Sequence, residues 1–159
     1  MEFSEKNRKK VIVLNFGNPN NYKTLEVRNK DNLLFITDGY TINAFAHGVE
    51  WIGMIRIING NDEYIFYKKN EDISKYKWCS SPTAAFKDSY EMIKCQKLPE
   101  GVNGRLIIGI TYPAIQRQIY ENILPFINIS TLSSNEDLLK ALLEFLLIPC
   151  LSIDINDPL

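Results

Sequence analysis

The chain has 159 residues, of which 45% are hydrophobic, and this length and composition predict one domain around one core. Its 18 Lys and Arg against 19 Asp and Glu leave a formal charge of -1. We therefore expect no overall field that draws the protein onto nucleic acid or an anionic membrane, so any such contact would need a local basic patch.

The three cysteines, Cys79, Cys95 and Cys150, lie far apart and include no C-x-x-C pair, and His47 is the only histidine. An odd number of scattered cysteines with one histidine indicates neither a disulfide framework nor a structural zinc site. Such cysteines are typically small buried residues in a reducing compartment. We therefore expect a cytosolic or nuclear protein.

Residues 1–10 read as a basic arm, with KNRKK at 6–10. No apolar segment precedes the strand-like residues 11–14, so we do not expect a signal peptide. The arm could act as a nuclear-localisation signal or contact phosphate, but a solvated terminus is the favoured interpretation. The longest apolar run, residues 142–148, contains Glu144 and is too short to cross a bilayer.

In chain order, the first third predicts an antiparallel meander. Residues 11–16, 24–28 and 33–37 have the composition and apolar spacing of strands. Residues 17–21 (GNPNN) and 29–32 (NKDN) read as the turns between them.

Residues 51–58 carry the strongest strand signal, because large and β-branched apolar residues occupy both alternating sets. We expect this strand inside a sheet. Asn59-Gly60 then predicts a hairpin turn, and residues 63–67 the returning strand. Arg56 shares a face with apolar residues and therefore needs a carboxylate or carbonyl partner.

Two helices are predicted to begin at X-Pro pairs, the first at Ser81-Pro82, where serine caps and proline fits the first helical position. Residues 105–110 read as a buried strand between the two helices. The second helix begins at Tyr112-Pro113 and ends at Pro125, with a predicted core stripe of Tyr112, Ile115, Ile119 and Ile123. Its predicted solvent-facing residues are Gln116, Arg117, Gln118 and Glu121.

A capping box at 133–136 predicts a third helix over 135–147 whose leucines cover nearly the whole circumference, and residues 151–155 alternate like a last strand. A helix that is apolar all round must be covered on more than one side. Together these elements predict an α+β fold, with a mostly antiparallel sheet of about six strands and two or three helices packed on it. We expect one domain over residues 11–159, of which 133–156 form an extension.

The sequence contains no motif typical of a phosphate-binding loop, a dinucleotide site, a nucleophile elbow or a zinc protease. His47 has no nucleophile or orienting carboxylate at a recognisable spacing, so a loop histidine is favoured over the base of a hydrolase. We therefore expect a protein without catalytic activity, cofactor, metal or small-molecule substrate.

Two further binding interpretations are possible. Gly101-Val-Asn-Gly104 spells G-x-x-G, which in KH domains lies between two helices and approaches RNA. Here a strand is predicted next and only Arg105 is basic, so a simple turn is favoured. An aromatic set could line a peptide or methyl-lysine cage, although core packing is favoured; its members are Trp51, Tyr64, Phe66, Tyr67, Tyr76 and Trp78.

Three segments together resemble the carboxy-terminal motif of the FY-rich (FYR) domain. The family shows a Ser-Pro-x-x-Ala-aromatic helix start, a glycine before a short Phe-Gly-containing strand, and a proline followed by an aliphatic helix. The corresponding segments are SPTAAF at 81–86, GRLIIG at 104–109, where Ile108 replaces the usual phenylalanine, and TYPAIQ at 111–116. The amino-terminal FY-rich motif resembles WIGMIR at 51–56 with YIFY at 64–67.

The resemblance covers about residues 42–127 and implies an α+β module in which both motifs share one sheet. The family occurs in mixed-lineage-leukaemia-type histone methyltransferases, in lysine demethylases and in a transforming-growth-factor-β regulator. There it holds cleaved fragments together or serves as a protein-interaction surface, and it is not known as an enzyme.

For this chain the resemblance implies a nuclear, non-catalytic module for protein–protein interaction with chromatin-associated or transcription-regulatory proteins. The alternative is a small single-stranded RNA-binding domain that uses residues 101–104. The family-signature residues, mainly structural, would be Gly53, Arg56, Tyr64, Phe66, Ser81, Pro82, Phe86, Gly104, Gly109 and Pro113.

Overall fold

The computed structural model describes residues 2–4, 10–27 and 33–127. They form the predicted α+β fold, with mostly antiparallel strands and three α-helices among these residues. The strands are β1 (Glu2–Ser4), β2 (Lys10–Asn15), β3 (Asn18–Glu26), β4 (Leu33–Asp38), β5 (Thr41–Ala46), β6 (Val49–Ile58) and β7 (Asn61–Lys68). The helices are α1 (Pro82–Lys94), α2 (Gly104–Ile108) and α3 (Pro113–Ile123), with short 3-10 helices at Ile73–Lys75 and Leu124–Phe126.

Five strands form one antiparallel sheet in the order β1-β2-β5-β6-β7. β6 pairs with β5 on one side and β7 on the other, which confirms the internal strand that its apolar residues predict. Asn59 and Gly60 connect β6 to β7 with φ values of 52° and 78°. Positive φ at both central residues is the backbone of the two-residue hairpin turn that an Asn-Gly pair favours.

β3 and β4 form a separate two-stranded sheet that packs against the main sheet. The Oδ1 atom of Asp38 accepts a hydrogen bond from the Ile57 N–H at 2.8 Å. The Lys23 Nζ atom lies 2.5 Å from Oδ1 of Asp62. These contacts connect β4 to β6 and β3 to β7.

The helices and the hairpin bury one face of the main sheet, called here the inner face. Phe86 of α1 is at its centre, with its ring centroid 5.2 Å from that of Trp51 and 5.3 Å from that of Phe66. α3 packs against β3 and β4. The predicted core stripe of α3 is confirmed, because all four of its members, Tyr112, Ile115, Ile119 and Ile123, are 0% exposed.

Gln116 is fully buried, so the prediction that it faces solvent is wrong. Its Oε1 atom accepts a hydrogen bond from the Phe35 N–H at 2.7 Å. Its Nε2 atom donates to the carbonyl oxygens of Phe35 at 3.0 Å and Ile110 at 2.8 Å. Phe35 lies in β4. Its backbone N–H and C=O groups point away from β3 into the core, where buried backbone groups must find hydrogen-bond partners. A polar side chain is therefore required at this position of α3.

Three other element predictions differ from the structure. Residues 105–110, predicted as a strand, mostly form helix α2, which Asn103 caps by accepting a hydrogen bond from the Arg105 N–H at 3.0 Å. Residues 18–21, predicted as part of a turn, lie in β3, and the chain bends instead at Gly17, where φ is 85°. β5 was not predicted.

The two cysteines that the structure describes are less buried than predicted. Cys95 is exposed and Cys79 is partly exposed. Cys95 stands at the carboxyl end of α1 with φ of 53°, a surface position. Residues 2–4 of the predicted arm pair with β2. Cys150, residues 5–9, the turn predicted over 29–32 and the elements predicted over 133–156 lie outside the described residues.

Replacing Gln116 by leucine is expected to lower the free energy of unfolding by at least about 2 kcal/mol, because each buried polar group left without a partner costs about 1–3 kcal/mol. Urea denaturation measures the change. The matched control is Gln118→Leu on the same helix. Gln118 is partly exposed and donates a hydrogen bond to Asn122 at 3.0 Å, so its replacement should change stability by less than about 0.5 kcal/mol. Equal effects of the two substitutions would contradict the role of Gln116.

The link between Lys23 and Asp62 predicts acid sensitivity. Burial acts to raise the pKa of Asp62, but hydrogen bonds from Lys23 and Tyr64 outweigh it and hold the pKa below the usual value. A lowered folded-state pKa stabilises the fold above the unfolded-state pKa of about 3.9, and this stabilisation is lost as the pH falls through the folded-state value. Asp62→Asn should therefore be less stable than wild type at neutral pH and lose less stability on acidification below about pH 4. Thermal unfolding from pH 7 to pH 2 tests this, with Lys23→Met expected to behave alike.

Candidate interaction surface

The signature residues of the predicted amino-terminal motif shape β6 and β7. Gly53 lies directly opposite Phe66, and a Cβ atom at Gly53 would stand 2.9 Å from the Phe66 ring. The backbone N–H and C=O of Tyr64 both bond to Cys79 at 2.8 Å. The Tyr64 hydroxyl donates to Asp62 at 2.7 Å. Burial, together with this bond, raises the pKa of Tyr64. Gly53, Tyr64 and Phe66 therefore build the inner face of the sheet.

The signature residues of the predicted carboxy-terminal motif join α1 to α2. The Ser81 Oγ atom caps α1 by accepting a hydrogen bond from the Ala84 N–H at 3.1 Å. Gly104 begins α2 so close to α1 that a Cβ atom there would lie 2.3 Å from the carbonyl carbon of Pro82. The Gly104 N–H donates to Oγ1 of Thr83 at 3.0 Å. Only glycine fits this contact.

Gly109 and Pro113 set the path from α2 to α3. Gly109 ends α2 with φ of 83°, a conformation that favours glycine. Pro113 occupies the start of α3, as the sequence predicts. The ring contact between Phe66 and Phe86 then connects the two motifs through the core. The structure thus brings most signature residues together as packing elements. The carboxy-terminal motif contributes no strand among the described residues, because residues 104–108 form α2, so the expectation that both motifs share one sheet is wrong.

Arg56 differs from these residues, because its side chain lies on the opposite face of the sheet, called here the outer face. Its Nε atom lies 2.9 Å from Oε1 of Glu63, the directly paired residue of β7. Its guanidinium carbon lies 4.0 Å from the ring centroid of Trp78. The expectation of a carboxylate or carbonyl partner is confirmed, with Glu63 as the carboxylate. The cation–π contact adds about 0.5–1 kcal/mol at such a partly exposed site.

Residues 69–80, called here the connector, cover the β7 side of the outer face. The Tyr76 ring centroid lies 6.1 Å from that of Tyr67. The Tyr76 hydroxyl donates to Glu71 at 2.5 Å, and burial together with this bond raises the pKa of Tyr76 to about 12. Ile65, which also points to the outer face, is 0% exposed. This side of the outer face is therefore already occupied by the chain itself.

The β5 side of the outer face is open, and its residues Thr41, Asn43, Phe45, Glu50 and Met54 are called here the outer patch. Phe45 is 51% exposed, and the other four residues are partly exposed. Strand register places Thr41 opposite Met54 and Phe45 opposite Glu50. The patch therefore combines two large apolar side chains with polar neighbours.

Glu50 anchors the polar side of the outer patch. Its Oε1 atom accepts hydrogen bonds from Asn43 Nδ2 at 2.8 Å and from Lys69 Nζ at 3.0 Å. These two bonds, the Asn43 bond first, hold the pKa of Glu50 below its usual value. The carboxylate is therefore charged and fixed beside Phe45.

Sequence reasoning missed the outer patch because it did not predict β5. The signal is present in residues 41–46, where Ile42, Ala44 and Ala46 are buried. Thr41, Asn43 and Phe45 alternate with them and point to the outer face.

Within the G-x-x-G segment, Gly104 packs closely against α1, whereas a Cβ at Gly101 would meet open space. The prediction that a strand follows it is wrong, since α2 follows, and the segment does lie between two helices. However, the N–H of Gly104 is taken by Thr83, so it is not available to a phosphate group. The guanidinium Nη1 atom of Arg105 donates to the Glu26 carbonyl oxygen at 3.0 Å.

The aromatic set divides between core and surface. Trp51, Tyr64 and Phe66 are at most 1% exposed, which confirms the core-packing interpretation for them. Tyr67, Tyr76 and Trp78 belong to the outer face and its connector, with Arg56 already on the Trp78 ring.

His47 lies exposed in the turn between β5 and β6, as a loop histidine is expected to lie. Its ring packs edge-on against Tyr90 at 5.4 Å. Within the described ranges no group of three or more His, Cys, Asp or Glu residues is arranged to hold a metal ion. No helix in the part of the chain that the structure describes has the length and hydrophobicity to span a membrane.

Comparisons of the chain with protein-family models, with curated proteins and with solved structures find no match.

Gly104→Ala is expected to destabilise the fold strongly, because the added Cβ meets backbone atoms of α1 that cannot move independently. Overpacking of this kind costs about 1–3 kcal/mol or more. Gly101→Ala is the comparison, since nothing lies within 4 Å of a Cβ there and only its φ of 82° opposes alanine, at about 1–2 kcal/mol. Chemical denaturation ranks the two variants, and a larger loss for Gly101→Ala would refute the packing role of Gly104.

Proposed function

We propose that this protein is a non-catalytic interaction domain of the FY-rich type, which docks chromatin-associated or transcription-regulatory proteins in the nucleus through its outer patch. The observation that carries the proposal is Phe45, a large apolar residue in a regular strand, paired on both sides and yet 51% exposed. The FY-rich resemblance of residues 42–127 supports the class of partner.

The two faces of the main sheet differ in how much of them the domain itself covers, and this difference supports a role for the outer patch. The inner face is filled by Trp51, Phe66 and Phe86, which are all 0% exposed. On the outer face the connector already covers the β7 side. Among the described residues, the connector leaves the β5 side uncovered, with Phe45 51% exposed, so a partner could reach it without displacing the connector.

The composition of the outer patch suits protein recognition. Interfaces are commonly built from a few aromatic or aliphatic anchors surrounded by polar groups. Phe45 and Met54 would supply the anchors. The fixed Glu50 carboxylate would favour a partner that places a basic or amide group beside Phe45.

The experiment is affinity capture from nuclear extract with three forms of the full chain: wild type, Phe45→Asp and Met92→Asp. Met92 is the matched control, since it is 46% exposed but lies on α1, across the sheet from the outer patch. Wild type and Met92→Asp should recover the same chromatin-associated proteins. Phe45→Asp should reduce their recovery by about tenfold or more, because loss of an anchor typically costs 2 kcal/mol or more.

Circular dichroism should first establish that the three forms are equally folded. Recovery without chromatin-associated proteins, or equal recovery by Phe45→Asp, would refute the proposal. A titration with random single-stranded RNA at low salt tests the alternative that uses residues 101–104, since phosphate contacts are strongest there. Tight binding that weakens in Arg105→Ala would favour that alternative.

A further inference from the structure

The chain contains two Asn-Gly pairs, Asn59-Gly60 and Asn103-Gly104, and a β-branched isoleucine or valine precedes each of them. An asparagine followed by glycine can react with its own backbone, because the small glycine lets its nitrogen approach the side-chain amide carbon of the asparagine. Since the local sequences are so similar, a difference in reactivity between the two pairs must come from the fold.

Asn59-Gly60 is open to solvent at the end of the β6–β7 hairpin. Both residues are exposed, and nothing lies within 4 Å of the position of a Cβ atom at Gly60. Within the described part of the chain, neither the Asn59 side chain nor the Gly60 N–H forms a hydrogen bond. The two reacting groups can therefore meet when the turn rotates, without breaking another contact.

Asn103-Gly104 is held at both reacting groups. The Oδ1 atom of Asn103 accepts a hydrogen bond from the Arg105 N–H at 3.0 Å, and the Gly104 N–H donates to Oγ1 of Thr83 at 3.0 Å. Gly104 is also buried in its close contact with α1. The attacking nitrogen and the amide that it would attack are thus both fixed by the fold.

We propose that Asn59 is a site of spontaneous deamidation and isoaspartate formation, whereas the fold protects Asn103. The Gly60 N–H gives its proton to hydroxide and its nitrogen attacks Cγ of Asn59. The new N–Cγ bond closes a cyclic imide, the Cγ–Nδ2 bond breaks, and ammonia leaves. Water then opens the imide: attack at Cγ gives aspartate, and attack at the backbone carbonyl carbon gives isoaspartate, whose main chain runs through Cβ.

Conversion changes both the geometry and the charge of the hairpin. The pairing of Ile58 with Asn61 depends on a two-residue turn, and isoaspartate lengthens this turn by one main-chain atom. Either product also adds a carboxylate near Asp62 and Glu63 in the sequence. We expect the ends of β6 and β7 to exchange their amide hydrogens faster after conversion. The site lies outside the outer patch, so the inference does not depend on the proposed function.

Incubation of the full chain in mildly alkaline buffer, followed by peptide mapping with mass spectrometry, tests the proposal. In the folded chain, Asn59 should convert at least about tenfold faster than Asn103, because the second pair must first open two hydrogen bonds and a packed contact. In urea that unfolds the chain, the two pairs should convert at similar rates, because their local sequences match.

Gly60→Ala is the matched variant, because the added methyl group hinders attack by the backbone nitrogen. It should slow conversion at Asn59 in both the folded and the unfolded chain and leave conversion at Asn103 in the unfolded chain unchanged. Intact Asn59 in folded wild type, or equal conversion of the two pairs there, would overturn the proposal. An equal preference for Asn59 in urea would overturn it as well, since the fold would then not be the cause.

Discussion

The buried edge of β4 is the constraint on which the arrangement of α3 depends. Phe35 is fully buried, and its N–H and C=O point away from β3. Buried backbone groups need hydrogen-bond partners, and Gln116 supplies both through one amide. The same amide also donates to Ile110, which precedes α3. One side chain thus takes the place of a neighbouring strand and fixes β4, α3 and the α2–α3 loop relative to one another.

The edge of β7 that faces away from β6 also needs hydrogen-bond partners, and other groups supply them. On this edge the backbone of Tyr64 bonds to the backbone of Cys79. The carbonyl oxygen of Phe66 accepts a hydrogen bond from the Ser89 hydroxyl of α1 at 2.5 Å. Paired edges do not recruit further strands. Because Phe66 also touches Phe86, the hydroxyl and the aromatic contact hold α1 in one register on the sheet. The connector and α1 therefore occupy hydrogen-bonding groups on the edge of β7 without adding a further strand.

Local chemistry in the sequence determined which elements could be predicted. Ser81-Pro82 and Asn59-Gly60 specify a helix start and a hairpin by short-range geometry, and both occur as predicted. Residues 104–108 form a short, largely apolar segment, and the spacing of apolar residues in such a segment does not distinguish a helix from a strand. The contact that decides, Gly104 against Pro82, joins residues far apart in the sequence. Gln116 falls on the same helical face as Tyr112 and Ile119, so its position in the helix favours burial, whereas its polarity favours solvent. The N–H and C=O of Phe35, which point away from β3, favour burial, and this contact between distant residues cannot be read from the local sequence.

The candidate interaction surface was hidden for a related reason. The residues on which the FY-rich resemblance rests are mostly packing residues, with Gly53 making room for Phe66 and Gly104 for α1. They specify the scaffold and do not mark the candidate surface. A single exposed phenylalanine is common on protein surfaces. Phe45 is distinguished by its setting, since it stands in a paired strand beside a carboxylate that Asn43 and Lys69 hold in place. A polar residue at this position would cost the fold little, and this exposed apolar surface is the observation on which the proposed docking rests.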